Sequence, residues 1–248
     1  MRRILVDPKI ARAPRIVIDD PNTVHHVSRV LRMQVGDALE CLDGQGGRYQ
    51  GAITALSDTA ISVSIEWHSK DNDPAVRGIT LVQALIKPTR FDWIVEKAAE
   101  LGAERLVPVI TERSVIQLSR EQTHKHQRWQ RIADQALEQC GRATRMRVEP
   151  ARSLADWLRD CAKTPATILI PTLEGDRVAL AEAARSVQAG LPVAILIGPE
   201  GDFSPAELEA AKKQGAIPVS LGTLTLRSET AAVALIAILQ HLRLPAHS

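Results

Sequence analysis

Two short loops carry the residues of this chain best suited to chemistry. The first, Gly198-Pro199-Glu200-Gly201-Asp202, follows the apolar run Val193 to Ile197. The second runs from Gly222 to Arg227 and leads into Ser228-Glu229. Together they offer glycine backbone that a ligand can approach with no Cβ in the way, one guanidinium and several carboxylates. Arg227 stays protonated in proteins, so it cannot act as a base; it can stabilise a developing anion. Glu200 and Glu229 can take a proton, orient Arg227, or simply stand at helix termini where the dipole favours a carboxylate. A phosphate cradle at a helix N-terminus is a poor fit. No Gly-Lys-Ser/Thr is present, and Glu200 and Asp202 would repel a phosphate.

The elements that must position these loops are well marked. Val193-Ala194-Ile195-Leu196-Ile197, bounded by Pro192 and Gly198, predicts a strand buried on both faces. Ser204 as N-cap, Pro205 at N1 and Glu207 at N3 form a capping box, with Phe203 and Leu208 at the staple positions and Gly215 as the stop. A second unit repeats the plan: Pro218 to Leu221 as strand, the Gly222–Arg227 loop, and a helix from about Glu229 to Leu242. In open α/β sheets ligands bind outside the carboxyl ends of the strands, so an active site is expected between the two loops. The final helix, Ala231 to Leu239, is apolar all round and too short to span a membrane. It needs cover on both sides, and a second subunit is the economical choice; a fully internal helix is the alternative.

The first 72 residues have a different character. Short apolar pieces (Ile4 to Val6, Ile16 to Ile18, Ala38 to Leu42, Tyr49 to Ile53, Ile61 to Trp67) recur between turn signals, among them Asp43-Gly44 and Gly46-Gly47. Ile61, Val63, Ile65 and Trp67 alternate with polar residues as in a half-buried strand. One helix interrupts them, capped by Asp20 with Pro21 at N1 and with Val24, Val27 and Leu31 on one face. The sum is a small β-barrel. Lys70 to Gly78 has linker composition, and residues 73–248 read as strands alternating with helices, hence a mainly parallel sheet covered on both faces. A strand at Ile79–Ile86 precedes a helix at Arg90–Leu101 with Phe91, Ile94, Val95 and Ala98 on one face. Arg105–Ile110 and Thr167–Ile170 are further strands. Between them Ser119 and Gln122 form a capping box for a helix that buries Trp129, Ile132, Ala133, Ala136, Leu137 and Cys140.

The net charge is +2, far from strong basicity, but its distribution is uneven. Lys125 to Arg147 holds six basic residues (Lys125, Arg128, Arg131, Arg142, Arg145, Arg147) against Asp134 and Glu138. Such a cluster could meet phosphates; it also suits a solvated helix face with a basic loop. Aromatics are 3% of the chain, which argues against extensive base stacking. The scattered Cys41, Cys140 and Cys161 suit a reducing cytoplasm and not a zinc site. His25-His26 are adjacent on a helix and cannot face one ion, so no metal is expected. No stretch reaches the roughly 18 apolar residues of a membrane span, and the basic start lacks the apolar segment of a signal peptide.

The motifs Leu196-Ile197-Gly198-Pro199-Glu200-Gly201, Phe203-Ser204, Leu221-Gly222 and Leu226-Arg227-Ser228-Glu229-Thr230-Ala231 resemble the RsmE family. These are SPOUT-class enzymes that methylate uridine N3 in small-subunit (16S) ribosomal RNA. The likeness runs the whole length. His25-His26, Arg29 to Arg32 and Val35-Gly36-Asp37 are similar to the family's PUA-like barrel; Lys97 to Gly102, Pro108, Arg113-Ser114 and Glu138 to Arg142 are similar to its middle motifs. The family usually has glycine where Asp202 stands, threonine where Ser228 stands and an arginine near Leu224, so no role of that arginine is carried over. The resemblance implies a trefoil knot in the C-terminal domain, S-adenosylmethionine as cofactor, ribosomal RNA as partner and a homodimer in the cytoplasm. It implies a cofactor site of Ile197, Gly198, Glu200, Gly201, Leu221, Gly222, Leu224 and Leu226. Arg227 would stabilise the uridine anion, with Glu200 or Glu229 as base or as its orienting group. Arg29, Arg32, Arg128, Arg131, Arg142 and Arg145 would hold RNA. The rival reading is a non-catalytic RNA-binding or ribosome-assembly factor, which would have no reason to bind S-adenosylmethionine.

Overall fold

The computed structural model describes residues 1–70, 78–114, 122–161, 166–173, 175–187 and 192–243. Two compact units divide the chain. One comprises Met1–Asp73 with Leu137–Arg145, the other Pro74–Ala136 with Met146–Ser248. Residues 71–77 of the expected linker and Ser119 of the expected capping box lie outside the described residues.

The first unit is a five-stranded sheet built from β1 (Arg2–Leu5), β2 (Arg15–Ile18), β3 (Ala38–Leu42), β4 (Gly47–Leu56) and β5 (Ile61–Lys70), in the order β1-β3-β4-β5-β2. Only β1 and β3 run parallel. Its core is the set of apolar residues that the sequence alternates with polar ones: Ile4, Ile16, Ile18, Leu39, Cys41, Ile53, Ile61 and Val63, closed by Val24 and Val27. These last two come from helix α1 (Pro21–His25) and a π-helical turn at His26–Val30; Asp20 accepts from Thr23 N at 2.8 Å as the cap. Alternation fails at the end of β5, where Trp67 is 47% exposed, and at Glu40 and Ser62, polar residues that are buried. Two bulges shift the register of the β4–β5 ladder. At one of them, Gly51, an added Cβ would collide with the carbonyl oxygen of Ser64, so no other residue fits.

The second unit is an eight-stranded sheet. Its strands are β6 (Ile79–Ala84), β7 (Arg105–Ile110), β8 (Arg147–Val148), β9 (Arg152–Ser153), β10 (Thr167–Pro171), β11 (Val178–Ala179), β12 (Val193–Ile197) and β13 (Ile217–Ser220). They follow the path β11-β13-β10-β12-β6-β7-β8, with β9 paired to β7. Every ladder in the sheet is parallel. β12 lies between β10 and β6, and all five of its residues are buried. It feeds two cores in alternation: Val193, Ile195 and Ile197 join one, Ala194 and Leu196 the other. The first core is shared with α2 (Pro88–Glu100), α3 (Gln122–Cys140), α5 (Leu180–Ser186) and α7 (Ser228–Arg243). The second is shared with α4 (Leu154–Cys161) and α6 (Pro205–Lys213). Helices on both faces of a parallel sheet are what a strand apolar on both sides demands.

One expectation is corrected: Cys140 is exposed, because α3 leaves the core of the second unit at Leu137. The alternative of a fully internal α7 does not hold within the chain: Ala231, Ala232, Leu235, Ile236 and Leu239 are buried, while Ile238 and Leu242 are 41% and 55% exposed. Among the described residues no helix is long and apolar enough to cross a membrane.

Candidate active site

The site is built at the carboxyl ends of β10, β12 and β13. After Ile197 the chain turns sharply into α6, whose capping box forms as its sequence predicts. Ser204 Oγ accepts from Glu207 N at 3.4 Å, and Glu207 Oε2 accepts from Ser204 N at 3.0 Å. Phe203 is buried beneath the turn. Asp202 takes a left-handed φ of +59°, a conformation costly to residues with a Cβ. Its own Oδ1 accepts from Phe203 N at 2.8 Å, the kind of local bond by which aspartate offsets that cost. Gly201 is held from outside: Arg113, in the loop after β7, donates to its carbonyl oxygen at 2.7 Å. The second loop turns at Gly222, whose φ of +115° asks for glycine although an added Cβ would meet nothing.

Between the loops lies a cavity of about 250 Å³. It gathers Ile197, Gly198, Glu200, Leu221, Gly222, Leu224, Leu226 and Arg227, all expected from the sequence. Gly201 and Glu229 are not on its wall. Gly201's missing Cβ points to the Arg113 side chain at 3.5 Å, and Glu229 turns away toward α2. Gly198 is tight for an internal reason: a Cβ there would stand 3.2 Å from both Phe203 and Asp202 Oδ1. Sequence reasoning misses the opposite wall, Pro171, Thr172, Leu173 and Arg177, which follows β10. The rule that places the other loops at strand ends applies equally to β10. Arg177 is fixed there by donating to Thr172 O at 3.0 Å.

Arg90, in the first turn of α2, is a second omission. Its guanidinium lies 3.5 Å from Glu200 Oε1 and 3.6 Å from Glu229 Oε1. It therefore links the first loop to the start of α7. Both candidate bases are carboxylates paired with this one cation, and Glu229 Oε2 is buried with no hydrogen-bond partner. Arg227 is exposed at the rim, and among the described residues its guanidinium has no hydrogen-bond or ion-pair partner. Two guanidiniums (Arg177, Arg227) and two carboxylates (Glu200, Asp202) thus face a cavity with apolar walls. That donor set fits a zwitterion carrying an extra positive charge and a flat apolar ring far better than a polyphosphate.

The arginines expected to hold RNA divide by placement. Arg29 and Arg32 of the first unit are exposed, Arg29 beside Asp58 at 3.3 Å. Arg128, paired with Asp92 at 2.5 Å, and Arg131 are exposed on α3 in the second unit. Arg145 is exposed in the first unit. Arg142 is 9% exposed, so it is a buried part of the first unit and not a surface offered to phosphate.

A family model for an RNA methyltransferase domain matches residues 73–240, and one for an RNA methyltransferase PUA domain matches residues 18–66. The ribosomal RNA small subunit methyltransferase E of Bacillus subtilis is 30% identical over 92% of this chain and 90% of its own length. The chain belongs to the RsmE family. A family member from Neisseria gonorrhoeae, solved bound to S-adenosyl methionine, superposes with a TM-score of 0.85 at 28% identity and covers 98% of each chain. A Legionella pneumophila methyltransferase with bound cofactor SAM gives 0.84 at 30% identity, over 96% of each chain. The parallel sheet with a PUA-like first unit is therefore the RsmE fold. At the three positions where this sequence departs from the expected pattern, Asp202 takes the left-handed conformation, Ser228 offers a hydroxyl to Gly198 O, and Leu224 is 78% exposed at the cavity rim.

Proposed function

We propose that this chain transfers a methyl group from S-adenosylmethionine to N3 of a uridine in small-subunit (16S) ribosomal RNA. The observation that carries the reading is the convergence of both glycine loops on one cavity with Arg227 at its rim, in a member of this family. The cofactor, when bound, supplies an electrophilic methyl group on a sulfonium. The chain's part is mostly positioning. Leu221 and Leu226, with Ile197, form an apolar wall for a flat ring. Gly198 and Gly222 bring backbone close to the ligand. Arg227 faces the position where the uridine gains negative charge on losing its N3 proton. Glu200, on the cavity wall, is better placed than Glu229 to take that proton. Its pairing with Arg90 orients the carboxylate.

Several parts of the reading extend beyond this cavity. The first unit (residues 1–72, PUA-like) holds RNA, and residues 73–248 form the methyltransferase domain, knotted through the loops of β12 and β13. The protein acts as a homodimer in the cytoplasm, where ribosomal RNA is found. Arg29, Arg32, Arg128, Arg131 and Arg145 meet RNA phosphates. Reversing these charges weakens RNA binding and flattens its salt dependence, by about one unit of slope for each phosphate no longer neutralised. S-adenosylmethionine affinity stays unchanged. RNA affinity indifferent to all the reversals would remove the assignment. Calorimetric titration with S-adenosylmethionine, followed by single-turnover methylation of small ribosomal subunits, tests the activity itself. A chain that binds RNA but not the cofactor would be an assembly factor instead.

A further inference from the structure

A three-residue relay runs from the core to the cavity wall, on which Gly198 and Ser228 stand. Gln83, at the end of β6, pairs in the ladder with Ile197 of β12 and is completely buried. Its Nε2 donates to Ser228 Oγ at 2.9 Å and to Ala84 O at 3.0 Å; Ser228 Oγ in turn donates to Gly198 O at 2.6 Å. The direction of the relay is fixed. A hydroxyl has one proton, and the Gly198 carbonyl can only accept it, so Ser228 must accept from Gln83. Turning the Gln83 amide over would set a carbonyl against an oxygen with no proton left to give. The fixed orientation leaves Gln83 Oε1 buried with no hydrogen-bond partner. An unmade buried bond is destabilising, and no core of leucines and valines requires it. What the arrangement achieves is a link between three elements: the end of β6, the turn after β12 and the first residue of α7.

We propose that Gln83 and Ser228 are positioning residues for methyl transfer. The relay holds the Gly198 loop at a set distance from the start of α7, so the cavity is preformed and Arg227, one residue before Ser228, is held at its rim. Gln83 stands behind the cavity wall, and the proton of Ser228, which is on that wall, is committed to Gly198 O. This inference rests on the methyltransferase reading and adds to it the device that sets its geometry. Serine and threonine serve equally, because only the hydroxyl is used.

The test measures S-adenosylmethionine affinity by calorimetry and methylation by single turnover on small ribosomal subunits, with thermal unfolding as a control on folding. Ser228→Thr should match the wild type. Ser228→Ala should weaken cofactor affinity about tenfold and slow methylation about as much, the scale of one lost buried hydrogen bond. Gln83→Leu should do the same, and the double variant no worse than either alone, because the two groups act as one unit. Gln83→Glu adds a readout that a merely structural role would not move. A protonated carboxyl still donates to Ser228 and an ionised one cannot, so this variant should lose cofactor affinity as pH rises while the wild type does not. Ser228→Ala that is folded, binds the cofactor as tightly as wild type and methylates as fast would overturn the proposal. Should Ser228→Ala fail to fold, a Gln83→Glu protein whose affinity does not change with pH would overturn it instead. If the wild type binds no S-adenosylmethionine, the methyltransferase reading itself fails and takes the relay's role with it. Binding by the wild type with insensitive variants removes only the relay.

Discussion

In the proposed reaction Arg227 and the two glutamates have separate parts, and the difference rests on single residues. Arg227 is exposed at the cavity rim with no partner of its own among the described residues, while Glu200 and Glu229 are both tied to Arg90. A guanidinium with no carboxylate beside it is available to a charge that appears only during reaction. Arg227→Ala should therefore bind S-adenosylmethionine nearly as well as wild type and methylate roughly 10²-fold more slowly, the scale for losing one preorganised donor to a transition-state charge. Arg227→Lys restores charge without the planar fork and should recover only part of the loss. Parallel loss of cofactor affinity and rate in Arg227→Ala would make Arg227 a wall of the cofactor pocket and nothing more. Most of these residues are legible in the sequence, because glycines, carboxylates and arginine stand in two loops after two apolar strands. Arg90, Arg177 and Gln83 are not. Arg90 and Gln83 act through partners far along the chain (Glu200 lies 110 positions from Arg90), and Arg177 sits in an irregular stretch; periodicity encodes neither.

At the scale of elements, what is readable is what local chemistry decides. The capping box of α6, the alternation of β12 between two cores and the proline-led start of α1 all follow from neighbours within four residues. Helix α4 has the same kind of local signal: Leu154, Trp157 and Leu158 share a buried face, and Ser153 Oγ accepts from Asp156 N at 3.0 Å at its start. The return of Leu137–Arg145 to the first unit has none. It is held by hydrogen bonds from Arg3 to Gln139 O, from Leu5 N to Glu138 and from Arg48 to Gly141 O, all long-range. Glu40 organises them. It is 3% exposed and accepts from Arg3 at 2.9 Å, Arg48 at 3.3 Å and Gln50 at 3.2 Å. Burial pushes its carboxyl up, but the bonds from Gln50, Arg3 and Arg48 outweigh that and hold it below the usual glutamate value. The unfolded chain then takes up this proton before the folded one does. Glu40 thus contributes stability that is complete above the ordinary glutamate range and is lost as pH falls through the depressed value. Glu40→Gln should lower the stability of the first unit at neutral pH and flatten its acid dependence. Amide exchange in β3 and β4 from neutral pH down through the acid limb measures both, and an unchanged acid limb would rule Glu40 out as its source.

At the scale of the whole molecule, the outer face of α7 needs a cover. Its inner face is spent on the core of the second unit. Ala234, Ile238 and Leu242 instead line an apolar groove with Leu180, Ala181, Ala184, Leu221 and Leu226. A contiguous apolar surface on an otherwise charged protein marks an interaction site. An apolar helix face suits a twofold interface between identical chains, which is the homodimer proposed above. The partial exposure of Ile238 makes the test clean. In a monomer Ile238→Asp places a carboxylate at the surface, where it costs little. In a dimer it buries two unpaired charges across the twofold axis, at a cost on the order of several kcal/mol. The variant should therefore keep the fold, with its thermal midpoint changed by no more than the loss of the dimer explains, and sediment as a monomer where the wild type is a dimer. Leu221 and Leu226 belong to both the groove and the cavity proposed for the cofactor, so the monomeric variant should also bind S-adenosylmethionine more weakly, since one wall of the pocket loses its backing. Sedimentation equilibrium at micromolar concentration decides between the outcomes. A wild-type chain that is a stable monomer there leaves the groove without a second copy as its occupant, and the weaker cofactor binding of Ile238→Asp would then have no cause.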